Sequence, residues 1–327
     1  MKGKYTVRVS NNRVSYTLEL ERNITILTGD SGIGKTALAR LIQNYEDAGK
    51  QSGVIVKCKV PCRSITSDDG WQARLSGIHN SIIFIDEGRR FLKSKDFADA
   101  VDGCDNYFVL ITREGLPQIP YSVHSVLTLK NTRRMGSKHY SRAYEQFDFI
   151  SRFSDVVDHT DVLLTEDSNS GYTVYQELVK NTPCTCVSAA GKSNIAGMLT
   201  SYDHQKVIVI ADGAAFGADM NDVYSYYLQR PNDVTLFLPE CFEWLILKSG
   251  IVSDKKLGTI LQRPWNYILS EEYKSWELFF TDFLVKLTAG TRLQYSKSKL
   301  ARAYLSASNL KKIQRAIEQQ EIAEKKK

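Results

Sequence analysis

Short apolar runs, each closed by a polar or glycine-rich turn, recur along most of this chain. Ile24–Leu27, Val54–Cys58, Ile82–Ile85, Tyr107–Thr112 and Val123–Leu129 have the length and composition of buried strands. Between several of them the apolar period lengthens to that of a helix, as in Ala37–Tyr45 and Phe91–Val101. The rhythm breaks between Asn131 and Asp155, a basic, aromatic and aliphatic-poor stretch that reads as an ordered connector. It then restarts: Asp161–Thr165, Cys184–Ser188, Lys206–Ala211 and Val234–Leu238 are strand-like, with helical spacing over Tyr172–Val179 and from Asn194 onward. From about Ile251 the pattern is helical throughout, notably over Tyr273–Leu287 and Ser298–Ile322. Trp265, Trp276, Phe279, Phe280 and Phe283 fall there at spacings typical of packing residues. Strands alternating with helices predict an α/β fold with parallel sheets and ligands at the strand C-termini. The expected division is an α/β domain with its connector over 1–150, a second α/β domain over 151–250, and a helical, basic region over 251–327.

Two stretches carry chemistry in the first domain. Gly29-Asp30-Ser31-Gly32-Ile33-Gly34-Lys35-Thr36 fits the spacing G-x-x-x-x-G-K-[ST] without a mismatch. Glycines at those places let backbone N–H groups turn inward around phosphate oxygens. Lys35 is then expected to reach the β- and γ-phosphates and the Thr36 hydroxyl to ligate Mg²⁺. A strand-like run precedes the turn and a helical segment beginning near Ala37 follows it, so the phosphates would rest on a helix N-terminus. The second stretch, Ser81-Ile82-Ile83-Phe84-Ile85-Asp86-Glu87, is a buried run ending in two acids. Asp86 is placed to hold the Mg²⁺ shell and Glu87 to polarise an attacking water; the plainer alternative is that both cap a helix. No NKxD-type guanine-reading sequence occurs, so ATP is the expected nucleotide.

Composition narrows the setting. The 327 residues are 43% hydrophobic and 24% charged, an ordinary globular balance. No run approaches the roughly 18 uninterrupted apolar residues of a membrane helix, and the start carries no apolar signal core. A cytoplasmic protein without a membrane partner is expected. Cys58, Cys62, Cys104, Cys184, Cys186 and Cys241 then read as free thiols; neither Cys58/Cys62 nor Cys184/Cys186 has a second pair of Cys or His nearby to complete a metal site. The net charge of +6 is concentrated: Tyr295 to Lys327 holds nine Lys or Arg against three Glu. Such a tail suits either nucleic acid or plain solvation.

The strand order of residues 20–130 resembles the additional-strand class of P-loop NTPases, in which a strand separates the cradle strand from the Walker B strand. The resemblance implies that Thr112 is the polar sensor of the γ-phosphate. It also makes Arg89, Arg90, Arg113, Arg133 and Arg134 candidates for an arginine finger, supplied within the chain or by a neighbouring copy in a homo-oligomer. Leu75-Ser76-Gly77 is similar to the transporter-type signature but stands too close to Asp86 for the intervening helix. A small-molecule kinase would want an arginine-rich lid, which the chain lacks.

The second domain resembles a Toprim domain, the module of topoisomerases, primases and overcoming-lysogenization-defect nucleases. In that family a Glu ends the first strand, a Gly follows the second and Asp-x-Asp ends the third. Glu166, Gly191 and Asp212 match those places, and the helix after the fourth strand would hold Glu240 or Glu243. The resemblance implies metal-dependent phosphodiester cleavage with Glu166 and Asp212 sharing Mg²⁺. The second acid of Asp-x-Asp falls on Ala214; Asp219, further on, is the expected substitute ligand. An ATPase followed by such a module resembles phage-defence proteins of the overcoming-lysogenization-defect type, and uncharacterised ATP-binding proteins of Firmicutes mobile elements. Two functional expectations stand: nucleotide state controlling a nuclease that acts on nucleic acid, or an ATP-driven scaffold whose second domain binds a partner protein.

Overall fold

The computed structural model describes residues 1–148 and 159–324, with side chains in the last helix up to residue 318. The chain is mixed α/β and forms two compact units, Met1–Phe147 with Arg263–Ser275, and Asp148–Gln262 with Trp276–Lys327.

The first unit contains strands β1 (Tyr5–Ser10), β2 (Val14–Leu20) and β3 (Ile24–Thr28), then helix α1 (Lys35–Ala48), β4 (Ile55–Lys57), β5 (Cys62–Ile65) and α2 (Trp71–Ser76). These are followed by β6 (Ile82–Ile85), α3 (Lys95–Val101), β7 (Tyr107–Ile111), β8 (Val126–Met135) and β9 (Lys138–Glu145). The nine strands make one sheet in the order β4-β1-β2-β9-β8-β3-β7-β6-β5. From β8 through β5 the pairings are parallel, and β7 lies between β3 and β6. β3, β6 and β7 are continuous apolar runs because both of their faces are covered; all of Ile82–Ile85 and Tyr107–Ile111 is buried. β1 and β2 alternate, with Val7, Val9, Leu18 and Leu20 inward and polar residues outward. Those inward residues share one apolar cluster with Leu38 and Ile42 of α1 and with Ile82, Phe84, Val109 and Ile111.

The second unit is built on a four-stranded parallel sheet. Its elements are β10 (Val162–Thr165), α4 (Ser170–Val179), β11 (Thr185–Ser188), α5 (Ile195–Leu199), β12 (Val207–Ile210), α6 (Met220–Gln229) and β13 (Val234–Phe237). Helices α7 (Phe242–Lys248), α8 (Leu257–Gln262), α9 (Trp276–Thr288) and α10 (Ala307–Glu324) follow. The order β11-β10-β12-β13 brings the C-terminal ends of all four strands to one edge. α9 and α10 both pack on α7, with Trp276, Phe280, Leu284 and Ile313 buried.

Three expectations change. The run Val54–Cys58 yields only the edge strand β4, antiparallel to β1, while the strand beside β6 is Cys62–Ile65. Ile55 is 55% exposed, whereas Ser64 is fully buried, so apolar content pointed to the wrong stretch. Residues 131–145 of the expected connector belong to the hairpin of β8 and β9, with a bulge between Asn131 and Arg133, and the expected strand Val123–Leu129 supplies only the start of β8; the connector's remainder, and the boundary at 150/151, fall largely outside the described residues. The hairpin escapes an alternation test because its distal half is polar on both faces. Finally, 251–327 is not a region by itself. Residues 263–275 are tied to the first unit by Gly3 N–H donating to Trp265 O (2.7 Å) and Asn23 Nδ2 donating to Lys274 O (3.2 Å), and the helices after them belong to the second.

Candidate functional sites

In the first unit the C-terminal ends of β3, β6 and β7 bring the predicted residues together. Gly29, Gly32 and Gly34 have φ of 133°, 81° and 102°, a region open to glycine and strained for other residues. A Cβ at Gly34 would also run into the Tyr16 hydroxyl, and one at Gly29 would meet Leu129 O at 3.1 Å. Asp30, Ser31 and Gly32 are exposed, Ile33 is partly buried, and Ala37 lies in the exposed first turn of α1. Lys35 is 5% exposed, and its Nζ donates to Gly29 O (2.6 Å) and Asp30 O (3.1 Å). Burial, and then the charge of Arg113, lowers its pKa. The ammonium is thus folded back on the carbonyls of its own turn.

Thr36 Oγ1 donates to Asp86 Oδ1 at 3.4 Å. A hydroxyl and a carboxylate oxygen side by side are the hard donors that Mg²⁺ prefers, so these residues fit that ion. Glu87 is exposed, with Oε2 3.9 Å from Arg113 Nε. Thr112 is buried at the end of β7, but its hydroxyl accepts from Glu114 N–H (3.1 Å) and donates to Glu114 O (3.2 Å). It therefore shapes the turn that carries Arg113. Among the arginines, Arg113 alone is placed at this site. Arg89 donates to Thr66 O (2.8 Å), Arg90 N–H donates to Asp68 Oδ1 (2.8 Å), and Arg133 and Arg134 stand on the β8–β9 hairpin.

In the second unit a cavity of about 180 Å³ opens where β10 and β12 end. Glu166 and Asp212 both line it, joined by Glu243, Glu277, Tyr295 and Lys297. Asp212 N–H donates to Glu166 Oε2 (2.9 Å), and Phe242 N–H donates to Asp212 Oδ1 (3.1 Å). Gly213 is required by closeness: a Cβ there would meet Leu238 O at 2.7 Å. Burial pushes the Glu166 carboxyl up to about 7, and burial with the charges of Glu277 and Glu166 raises Asp212 well above the carboxylate range. Glu243, at the start of α7, is 1% exposed; Oε1 accepts from the Tyr295 hydroxyl (2.7 Å) while Oε2 has no hydrogen-bond partner among the described residues. Lys297 forms an ion pair with Glu277, and both Glu277 and Glu243 raise its pKa against the effect of burial.

The expected metal set is not assembled. Asp219 does not line the cavity; its Oδ2 is 3.7 Å from Lys192 Nζ. Ala214 is buried and offers no ligand. Glu240 is likewise absent from the cavity wall. Among the described residues no three His, Cys, Asp or Glu side chains are grouped to hold a metal ion. The donors therefore do not fit the two-metal site that the Toprim resemblance implied, and a lysine meets the acids instead. Glu277, Tyr295 and Lys297 could not be read from the sequence, where each looked like part of a helical, basic tail.

Compared with protein-family models the chain matches none, and no curated protein matches it either. Among the described residues no helix is long and apolar enough to cross a membrane.

Proposed function

We propose that the first unit is an ATP-binding and ATP-hydrolysing P-loop domain of the additional-strand class. The observation that carries this reading is the meeting of Lys35, Thr36, Asp86 and Glu87 at the C-terminal ends of strands ordered with β7 between β3 and β6. Backbone N–H groups of Gly29–Thr36 bind the phosphates, and Lys35 leaves its two carbonyl partners to neutralise the β- and γ-oxygens. Thr36 and Asp86 would hold Mg²⁺, which when bound offsets phosphate charge. Glu87, exposed beside Arg113, orients the water and accepts its proton. Arg113 supplies positive charge beside Glu87; a second copy of the chain in a homo-oligomer would enclose the exposed side of this site. Lys35→Ala is expected to lower phosphate release from ATP by about 100-fold or more, the order of effect of removing one fixed charge stabiliser. Unchanged turnover would refute the assignment.

The second unit is read as a Toprim-like domain whose state follows the bound nucleotide. Its support is the parallel sheet with Glu166, Gly191 (φ 134°) and Asp212 within three residues of the ends of β10, β11 and β12. Of the two outputs, specific observations favour partner-protein binding over strand cleavage: Ala214 lacks a carboxylate, Asp219 faces Lys192, and Lys297 supplies the cation among the acids. Incubation with DNA or RNA in Mg²⁺ or Mn²⁺, with and without ATP, is expected to show no cleavage. Cleavage lost in Asp212→Ala would restore the nuclease reading.

A further inference from the structure

The hairpin of β8 and β9 runs on past the end of β3. β3 accompanies β8 only as far as Thr128, and β2 accompanies β9 over His139–Arg142. Every residue from Lys130 to Ser137 is exposed. In the register Lys130 faces Arg142, Arg133 faces Tyr140 and Met135 faces Lys138, with the bulge between Asn131 and Arg133 keeping these pairs in step. Directly opposed residues, and alternate residues along a strand, share a face. One face therefore presents Lys130, Arg133, Lys138 and Arg142 together with Tyr140 and Tyr144. The contacts agree: Arg133 lies 4.3 Å and Lys138 5.8 Å from the Tyr140 ring centre, and Arg142 5.8 Å from that of Tyr144. Arg142 is compensated by Glu19 (2.9 Å), whereas Lys130, Arg133 and Lys138 enter no ion pair among the described residues. Tyr144 is 42% exposed and Met135 57%.

Cations interleaved with planar side chains on a solvent-facing ribbon match two features of one ligand at once. The phosphodiester backbone takes the charge, and unstacked bases lie on tyrosine rings and guanidinium planes. We propose that this face of the hairpin binds single-stranded nucleic acid. A duplex would use the cations but keep its base faces from the tyrosines, and an acidic protein would leave the rings without a planar partner. The hairpin belongs to the first unit, the basic C-terminal tail and the acid cavity to the second, and the assignment does not rest on the ATPase reading.

Fluorescence anisotropy of a labelled oligodeoxythymidylate with the full chain tests the assignment. Binding is expected, weakening as salt rises. The double variant Arg133→Glu/Lys138→Glu should weaken it by at least about tenfold and flatten the log–log salt slope by about one for each cation removed. Tyr140→Ala should weaken it roughly 5- to 100-fold, as for loss of one stacking platform. Circular dichroism of the charge-reversal variant, which changes exposed Arg133 and half-buried Lys138, reports whether the fold is kept. Absence of binding by the wild type would overturn the proposal. So would binding lost in Lys311→Glu/Lys312→Glu but kept in the hairpin variants, or a duplex, anionic vesicles or polyglutamate bound as tightly as the single strand.

Discussion

In the first unit the groups that would meet a phosphate are backbone amides of one contiguous turn, Gly29 to Thr36, with a single buried lysine folded against them. In the second, the polar groups around the cavity are side chains from well-separated segments, from Glu166 to Lys297, and most of them carry the same sign of charge. The difference is one of what each site must suppress. Amides fixed by left-handed glycines need no countercharge and can stand open to solvent until an anion arrives. Clustered carboxyls must keep protons, accept hydrogen bonds or find a cation, and here Glu166, Glu243 and Glu277, paired with Lys297, illustrate those three solutions in turn.

The contrast can be broken most severely at Gly34. Alanine there would combine a strained φ with a collision against the Tyr16 hydroxyl, so Gly34→Ala is expected to destabilise the start of α1 by about 2 kcal/mol or more. Thermal melts and nucleotide binding should both register it, and Tyr16→Phe should relieve part of the loss. An unaltered melt and intact ATP binding would mean that the turn is not backbone-limited.

Next in size is the proton held by Glu166. Its carboxyl is raised from 4.5 to about 7 in the folded chain, so between those values the folded state binds a proton that the unfolded state has released. Stability of the second unit is therefore greatest at the acid end of the window and falls as pH rises through it, by an amount on the order of 2 kcal/mol. Hydrogen exchange of β10 and β12 amides between pH 5 and pH 8, corrected for intrinsic rates, should show that fall, and Glu166→Gln should reduce it, leaving the part due to the raised Asp212 carboxyl. A unit that gains stability with rising pH would contradict the protonated-carboxyl account.

The smallest effect concerns thiols. A hydrogen bond from the Cys62 thiol, helped by the Val60 and Lys59 N–H groups, lowers Cys58 to about 6, and the same pairing raises Cys62. Burial instead lifts Cys184 to about 11 and Cys186 to about 12, and raises Cys241. Iodoacetamide at neutral pH should label Cys58 first, read by peptide mass mapping, without affecting either site. Equal labelling across both units would remove this distinction.

How much could be read ahead of the structure follows the same division. The α/β rhythm was legible because central parallel strands such as Ile82–Ile85 and Tyr107–Ile111 are apolar on both faces. Cys62–Ile65 was missed because its central buried position is Ser64, and β8–β9 because charged and aromatic pairs, rather than an apolar stripe, hold its distal half. The glycine-built turn Gly29–Thr36 was legible because the residues that shape it are contiguous in the chain. In the cavity, Glu166 and Asp212 stood out as acids at strand ends, but Glu277 and Lys297 enter through long-range packing of α9 and the segment after it. Asp219 is near Asp212 in sequence, but its carboxylate faces Lys192 instead of the cavity.

The central claim is that the turn from Gly29 to Thr36 receives a triphosphate with Lys35 as its cation. Titration of the full chain with a fluorescent ATP analogue in Mg²⁺ addresses it directly. Saturable binding, displaced by ATP and lost in Lys35→Ala, is the predicted result; a flat titration at millimolar nucleotide, or binding indifferent to Lys35→Ala, would contradict it.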